Sequence, residues 1–228
     1  MRTKSLLFAH AALMLVGVPH AWAQAAGGLA GLYAAQPPAG SSFVRVVNPS
    51  GANLQIGLGA TTMQLPQTGT GAIASSYRVI DPSRAPTLTV NGRPVTGELK
   101  LAPNGFFTWL LVSKGSEIHV QAMVDTPESQ NALKAVLRSY NLIPQCSMTL
   151  AVANGPTVFE RVPYGESRAR TINPVKATLT ARCDQAEATL ALPALSAGDK
   201  YSLFLVGDVA KPQLVGQFDQ TESAAEKR

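Results

Sequence analysis

The sequence predicts an all-β chain: two tandem antiparallel β-sandwich modules, immunoglobulin-like or jelly-roll-like, following a cleaved signal peptide. Three observations point there. Leu54, Ile56 and Leu58 alternate with Gln55, Gly57 and Gly59, and Met148, Leu150 and Val152 alternate with Thr149, Ala151 and Ala153. That period of two marks half-buried strands. Turn signals such as Asn48-Pro49-Ser50-Gly51, Asn91-Gly92 and Pro103-Asn104-Gly105 punctuate the chain at short intervals, as sandwiches require. Finally, matched apolar runs recur at offsets of 91 to 94 residues, the mark of a duplicated module.

Taken in order, Arg2 and Lys4 precede an apolar run over 6–18, and Ala21-Trp22-Ala23 offers a small-x-small cleavage site. Residues 1–23 therefore read as a secretory signal peptide. The run is shorter than the roughly 20 residues that a spanning helix needs, and no later segment is apolar enough to cross, so the chain is not expected to be an integral membrane protein. No cysteine follows the cleavage site, which argues against a lipid anchor. Residues 24–41, with Pro37 and Pro38, read as an extended N-terminal arm.

The first sandwich is expected over 42–125. Its first strand, 42–47, places Val44 and Val46 on one face and Phe43, Arg45 and Val47 on the other, with 54–58 as its partner. A third strand is expected over 73–80. Leu88 and Val90 lead into Asn91-Gly92, the preferred pair for a two-residue hairpin. Residues 106–112 are apolar on both faces, as a central strand would be, and 118–123 closes the module. Residues 126–133 read as a linker, 134–218 as the second sandwich and 219–228 as a flexible tail. In the second half, Tyr201-Ser202-Leu203-Phe204-Leu205-Val206 repeats Phe107-Thr108-Trp109-Leu110-Leu111-Val112 at an offset of 94. Trp109 and Tyr201 are expected in the cores.

Charge excludes little. Without Arg2 and Lys4, 17 basic residues face 14 acidic ones, and the basic residues are scattered. A nucleic-acid partner is therefore not expected. Cys146 and Cys183 are the two cysteines. In an exported chain an even count reads most simply as a disulfide; two free thiols or half a metal site are the alternatives, and a metal site lacks partners.

Catalytic chemistry is sparse in the sequence. His119 is the one histidine beyond the leader, and no G-x-S-x-G elbow accompanies it. Gly165-Glu166-Ser167-Arg168-Ala169 lacks the second glycine and reads as a polar loop. Asp125 and Glu128 could form a carboxylate pair, but solvation of the linker is the preferred reading. No enzyme activity, cofactor or metal is expected. Arg45 reads either as a stem-buried arginine paired with an acid or as an interface anchor. Tyr33 has no evident core to enter, and both residue types are favoured at binding hot spots.

Two stretches carry a family resemblance. Leu32-Tyr33, Pro37, Gly40-Ser41 and Phe43-Val44-Arg45-Val46 with Asn48 resemble the opening of the alginate biosynthesis protein F family, and Ile172-Asn173-Pro174-Val175-Lys176 resembles a stretch of its second half. The resemblance implies two β-sandwich domains and a periplasmic, non-catalytic accessory role in O-acetylation of an exported polysaccharide. The implied partners are periplasmic polysaccharide O-acetyltransferases and the membrane acetyl-export machinery, possible polysaccharide contact included. Tyr33, Arg45, Asn48, Asn173 and Lys176 are the candidate partner-binding residues. The cysteine pair is a departure from the family pattern, and an equivalent factor for acetylated cellulose fits as well. Two other readings stand beside the adaptor: a polysaccharide-binding module, and an acetyltransferase or esterase. The last requires His119 to lie near a serine and a carboxylate. Docking through the arm or by strand addition at a sandwich edge is the expected binding mode.

Overall fold

The computed structural model describes residues 37–222 apart from 85, 98, 100, 127–130 and 132. The expected leader, most of the arm including Tyr33, the middle of the linker and the last six residues lie outside them. All the described residues fall in one compact unit.

Seventeen strands and no helix occur among the described residues. The first half contributes β1 (Ser42–Val47), β2 (Leu54–Leu58), β3 (Thr61–Leu65), β4 (Arg78–Ile80), β5 (Leu88–Val90), β6 (Arg93–Pro94), β7 (Thr96–Gly97), β8 (Phe106–Lys114) and β9 (Glu117–Val124). The second contributes β10 (Ala135–Asn141), β11 (Met148–Val152), β12 (Thr157–Val162), β13 (Ser167–Ile172), β14 (Thr178–Cys183), β15 (Ala186–Ala191), β16 (Lys200–Gly207) and β17 (Pro212–Phe218).

The duplication is complete in the sheets. The first half pairs its strands in the orders β4-β1-β8-β9 and β3-β2-β5-β6; the second repeats them as β13-β10-β16-β17 and β12-β11-β14-β15. Only β7, added at the edge of β9, lacks a counterpart. The two-sandwich, all-β reading therefore stands.

Several details differ from the sequence reading. β1 and β2 do not pair: the chain crosses to the opposite sheet after Asn48, and β1 instead lies between β4 and β8. Its pairing with β8 is parallel, as is β10 with β16. Parallel neighbours need a long crossover, which the excursion through the other sheet supplies. The third strand is β3, and only Arg78–Ile80 of the expected 73–80 segment forms a strand. The edge strands β3 and β13 carry Thr61, Thr62 and Gln64, or Arg168, Arg170 and Thr171, on faces that stay partly wet. Without a clean apolar alternation they are hard to read.

Asn91 and Gly92 both adopt positive φ and turn β5 into β6, as their identities require. Gly97 is needed for another reason. A Cβ there would sit 2.5 Å from the Val120 carbonyl oxygen, so only glycine lets β7 lie against β9.

Three hydrophobic cores result. Val44, Val46, Ile56, Phe107, Trp109 and Leu111 fill the first sandwich. Leu137, Met148, Leu150, Leu179, Leu203 and Leu205 fill the second. The third core is the seam between the halves, where Val47, Leu110 and Met123 meet Tyr140, Leu142, Phe204 and Val206. β8 is apolar on both faces for this reason: Phe107, Trp109 and Leu111 point into the sandwich while Leu110 points into the seam. Trp109 and Tyr201 are both buried core residues. Cys146, on the crossover from β10 to β11, and Cys183, at the end of β14, form a disulfide with Cα atoms 5.4 Å apart.

Candidate functional site

The densest polar constellation lies inside the seam. Arg45 leaves the outer face of β1, opposite to Val44 and Val46, and has no exposed surface. Its Nε donates to Thr108 Oγ1 at 2.9 Å, Nη1 to Asp219 Oδ1 at 2.6 Å, and Nη2 to Tyr140 Oη at 2.6 Å and Ser202 Oγ at 2.9 Å. The guanidinium stacks 4.6 Å from the Tyr77 ring centroid and 5.1 Å from that of Tyr140. Arginine suits this position because its planar fork serves several acceptors at once while its faces meet aromatic rings.

A second carboxylate completes the cluster. Asp125 is buried and accepts from Tyr140 Oη at 2.5 Å, Thr108 Oγ1 at 2.6 Å and Tyr77 Oη at 2.8 Å. The expectation that Asp125 solvates the linker is thus corrected: the hydroxyls of Tyr77, Thr108 and Tyr140 replace water around it. Its supposed partner Glu128 lies outside the described residues. Burial works against the Arg45 charge, but Tyr140, Tyr77, Asp219 and Asp125 outweigh it and hold the guanidinium protonated above its ordinary range. Burial pushes the Tyr77 and Tyr140 phenols up, with Arg45 pulling the other way.

The cluster sits on the duplication. Val44 pairs with Phe107 as Leu137 pairs with Tyr201, which makes Arg45 the counterpart of Arg138, and Thr108 that of Ser202. Arg138 also turns to the seam, donating to the Thr126 carbonyl at 2.7 Å. A hydroxyl at the same register of two otherwise apolar strands was a legible signal that sequence reasoning passed over.

Residues 219–222, read from the sequence as the start of a flexible tail, lie against the first sandwich. Asp219 holds Arg45, Thr221 bridges to Tyr77, and Glu222 pairs with Arg78 at 2.5 Å.

The candidate partner-binding residues separate. Arg45 has no free surface, so it anchors the seam between the two halves rather than a partner's surface. Asn48 is also fully buried: its amide donates to the carbonyls of Ala52 and Leu65 and accepts from the Ser50 N–H. Asn141 repeats the arrangement with Cys146, Val162 and Ile143. Both asparagines close the crossover after the first strand of their sandwich, which is a folding role. Asn173 and Lys176 are exposed on the loop between β13 and β14, beside Val175, itself 47% exposed. Tyr33 lies outside the described residues.

His119 sits on β9 at the β7 edge. Its Nδ1 is 2.9 Å from Thr96 Oγ1 and its Nε2 is 3.5 Å from Glu117 Oε2. The histidine thus meets a threonine and a carboxylate rather than a serine. Glu117 is 73% exposed, so its hold on the imidazole is screened by water. The groove beside it, about 530 Å³, is lined by Arg93, Thr96, Ser116 and Glu117 among others. Among the described residues no group of three or more His, Cys, Asp or Glu is placed to hold a metal ion.

A sequence profile described as "Alginate O-acetyl transferase AlgF" matches residues 13–201. The chain belongs to the AlgF family. It is 33% identical over 210 residues to the alginate biosynthesis protein AlgF of Pseudomonas putida, covering 91% of this chain and 92% of that one. The AlgF of Pseudomonas syringae pv. tomato is 30% identical over 178 residues, covering 77% and 75%. The solved C-terminal domain of AlgF from P. aeruginosa matches 38% of this chain and 98% of its own at 30% identity, with a TM-score of 0.33.

Proposed function

We propose that this chain is a non-catalytic periplasmic accessory protein required for O-acetylation of alginate or a related exported polysaccharide, linking the acetyl-transfer components by protein–protein contact. Family membership over most of the chain is the observation that carries the link to alginate acetylation. The structure adds two supports. The densest cluster of ionisable side chains, around Arg45, is consumed in holding two sandwiches together, as a rigid scaffold needs. The loop bearing Asn173, Val175 and Lys176 offers an apolar side chain flanked by an amide and a cation on open surface. The partners are periplasmic polysaccharide O-acetyltransferases and the membrane machinery that exports acetyl groups; the chain itself stays outside the bilayer.

The test is co-purification of the exported chain from periplasmic and membrane extract, with bound proteins identified by mass spectrometry. Recovery of an O-acetyltransferase or a polymer-secretion component supports the proposal. Recovery of polysaccharide alone would replace it with a polysaccharide-binding module. Polymer from a deletion strain, whether alginate or acetylated cellulose, should keep its yield and lose acetyl ester.

One observation favours a second reading, an acyl-transfer activity at Thr96, His119 and Glu117. The exposure of Glu117 weighs against it. Hydrolysis of p-nitrophenyl acetate decides the matter: a rate above buffer that disappears in Thr96→Val and His119→Ala would make the chain an enzyme.

A further inference from the structure

The duplication places two loops at the same point of the fold, and their chemistry differs. After β4 the chain reads Asp81-Pro82-Ser83-Arg84; after β13, the counterpart strand, it reads Asn173-Pro174-Val175-Lys176. The first loop satisfies itself. Asp81 Oδ1 accepts from the Ser83 N–H at 2.9 Å and from Ser83 Oγ at 2.6 Å, and Arg84 Nε lies 3.5 Å from Asp81 Oδ2. The second loop keeps the proline and loses that network. An amide stands where the carboxylate was, valine replaces the serine, and Lys176 meets no carboxylate among the described residues.

A single exposed valine beside a free lysine is ordinary surface, but neighbouring elements bring like groups to the same end of the second sandwich. Ala135 and Ile172 form the last pair of the β10–β13 ladder, so Leu133 and Lys134 leave it beside Asn173. The Lys134 carbonyl accepts from the Gly198 N–H at 2.9 Å, and Val136 pairs with Lys200, which sets the start of β16 on the other flank. Leu133 is 80% exposed. Neither Lys134 nor Lys200 pairs with a carboxylate among the described residues. The carboxylates of adjoining segments are committed elsewhere: Asp199 Oδ2 accepts from the Ser196 N–H at 2.6 Å, and Asp219 holds Arg45. Two apolar side chains and three ammonium groups thus share one end of the fold.

We propose that this end of the second sandwich docks an acidic face of a protein partner, with Val175 and Leu133 in apolar contact and Lys134, Lys176 and Lys200 opposite carboxylates. Apolar contact ringed by polar groups is the usual anatomy of such an interface, and complementary charge steers encounter and suppresses wrong partners. A polyanionic sugar chain would use the ammonium groups but leave both apolar side chains in water. The inference rests on the accessory reading, since the partner it describes is a protein of the acetyl-transfer system.

The experiment places a photo-crosslinking amino acid at Val175 of the full exported chain, and at Ser83 as the control, and irradiates intact cells. The expected result is a protein adduct from position 175 and none from position 83. The adducted protein is then purified and titrated with the unlabelled chain and its variants. Affinity should fall as salt rises, drop by about tenfold or more in the Lys176→Glu, Lys200→Glu double variant, and hold in Arg84→Glu. Lys176 and Lys200 are both exposed, so the double variant should keep the wild-type melting temperature. No adduct from position 175, an adduct with polysaccharide alone, or affinity indifferent to the double variant would overturn the proposal. The two readings fail separately. A position-175 adduct with a protein unrelated to acetyl transfer, sensitive to the double variant, keeps the docking surface and sinks the accessory role. An acetyltransferase that co-purifies and ignores the double variant keeps that role and sinks the surface.

Discussion

Arg45 Nη1 lies 2.6 Å from Asp219 Oδ1, joining the first strand of the chain to the residue just after the last, 174 positions away. The pair is enclosed, with side-chain exposures of 0% and 9%. Removing one partner of a buried pair strands the other charge, which typically costs about 3–5 kcal/mol. Asp219→Ala, or truncation after Phe218, should therefore lower the unfolding free energy by that amount and move the urea midpoint down with it. An unchanged midpoint would mean that Asp125 alone neutralises the guanidinium. Arg45→Lys should also destabilise, because a single ammonium cannot serve Thr108, Asp219, Tyr140 and Ser202 together.

The two seam phenols give the stability a pH dependence. Tyr77 and Tyr140 are pushed up by burial in the folded chain, while an unfolded phenol ionises near its ordinary value of about 10. Below that value both states hold the proton and the phenols contribute no slope. As pH rises through it, the unfolded state loses protons that the folded state keeps, so stability falls. The melting temperature should decline between pH 9 and 11, and Tyr77→Phe should flatten the decline. A slope that Tyr77→Phe leaves unaltered would refute the assignment.

The disulfide of Cys146 and Cys183 closes a loop of 37 residues in the second sandwich, which already has the larger core. A bridge of this kind contributes about 2–4 kcal/mol. The Cys146→Ser, Cys183→Ser double variant should unfold earlier by that margin, and dithiothreitol should shift the wild type to match it. The first sandwich has no such bridge, so hydrogen exchange in β1, β2 and β8 should change little.

Asn48 and Asn141 offer a matched pair of tests. Each amide satisfies two carbonyls and one backbone N–H inside its crossover, and leaving such groups unpaired costs about 1–3 kcal/mol per group. Asn48→Ala and Asn141→Ala should both destabilise the chain, and neither should change partner capture once folding is restored by lower temperature.

Partner capture should respond elsewhere. Substituting Lys176→Glu or Val175→Asp on the open loop should reduce recovery of the acetylation partner with the melting temperature within a degree or two of wild type. Deleting residues 33–40 tests the arm in the same assay. Retained capture in all three would move the docking surface away from both places.

The sequence by itself determined the all-β class, the duplication and the two inner cores, because period-two burial is written locally in runs such as Leu54, Ile56, Leu58 and Met148, Leu150, Val152. It also placed Asn91-Gly92 at a hairpin, since few other residues tolerate that turn, and it paired the cysteines by count. The opening and Ile172-to-Lys176 stretches were enough to name the family. Only the tertiary structure decided what the outer faces of β1, β8, β10 and β16 do. The sequence offers Arg45 as a buried arginine paired with an acid or as an interface anchor without naming the acid, and Thr108, Tyr140 and Ser202 gain their role only when the two halves pack face to face and exclude water from them. Asp125 and Asp219 read as linker and tail for the same reason: a carboxylate's burial depends on donors from distant segments, here Tyr77, Tyr140 and Arg45. The joining of the 66–76 loop to β17 is likewise invisible in the sequence, because Ala74 and Gln217 lie 143 positions apart.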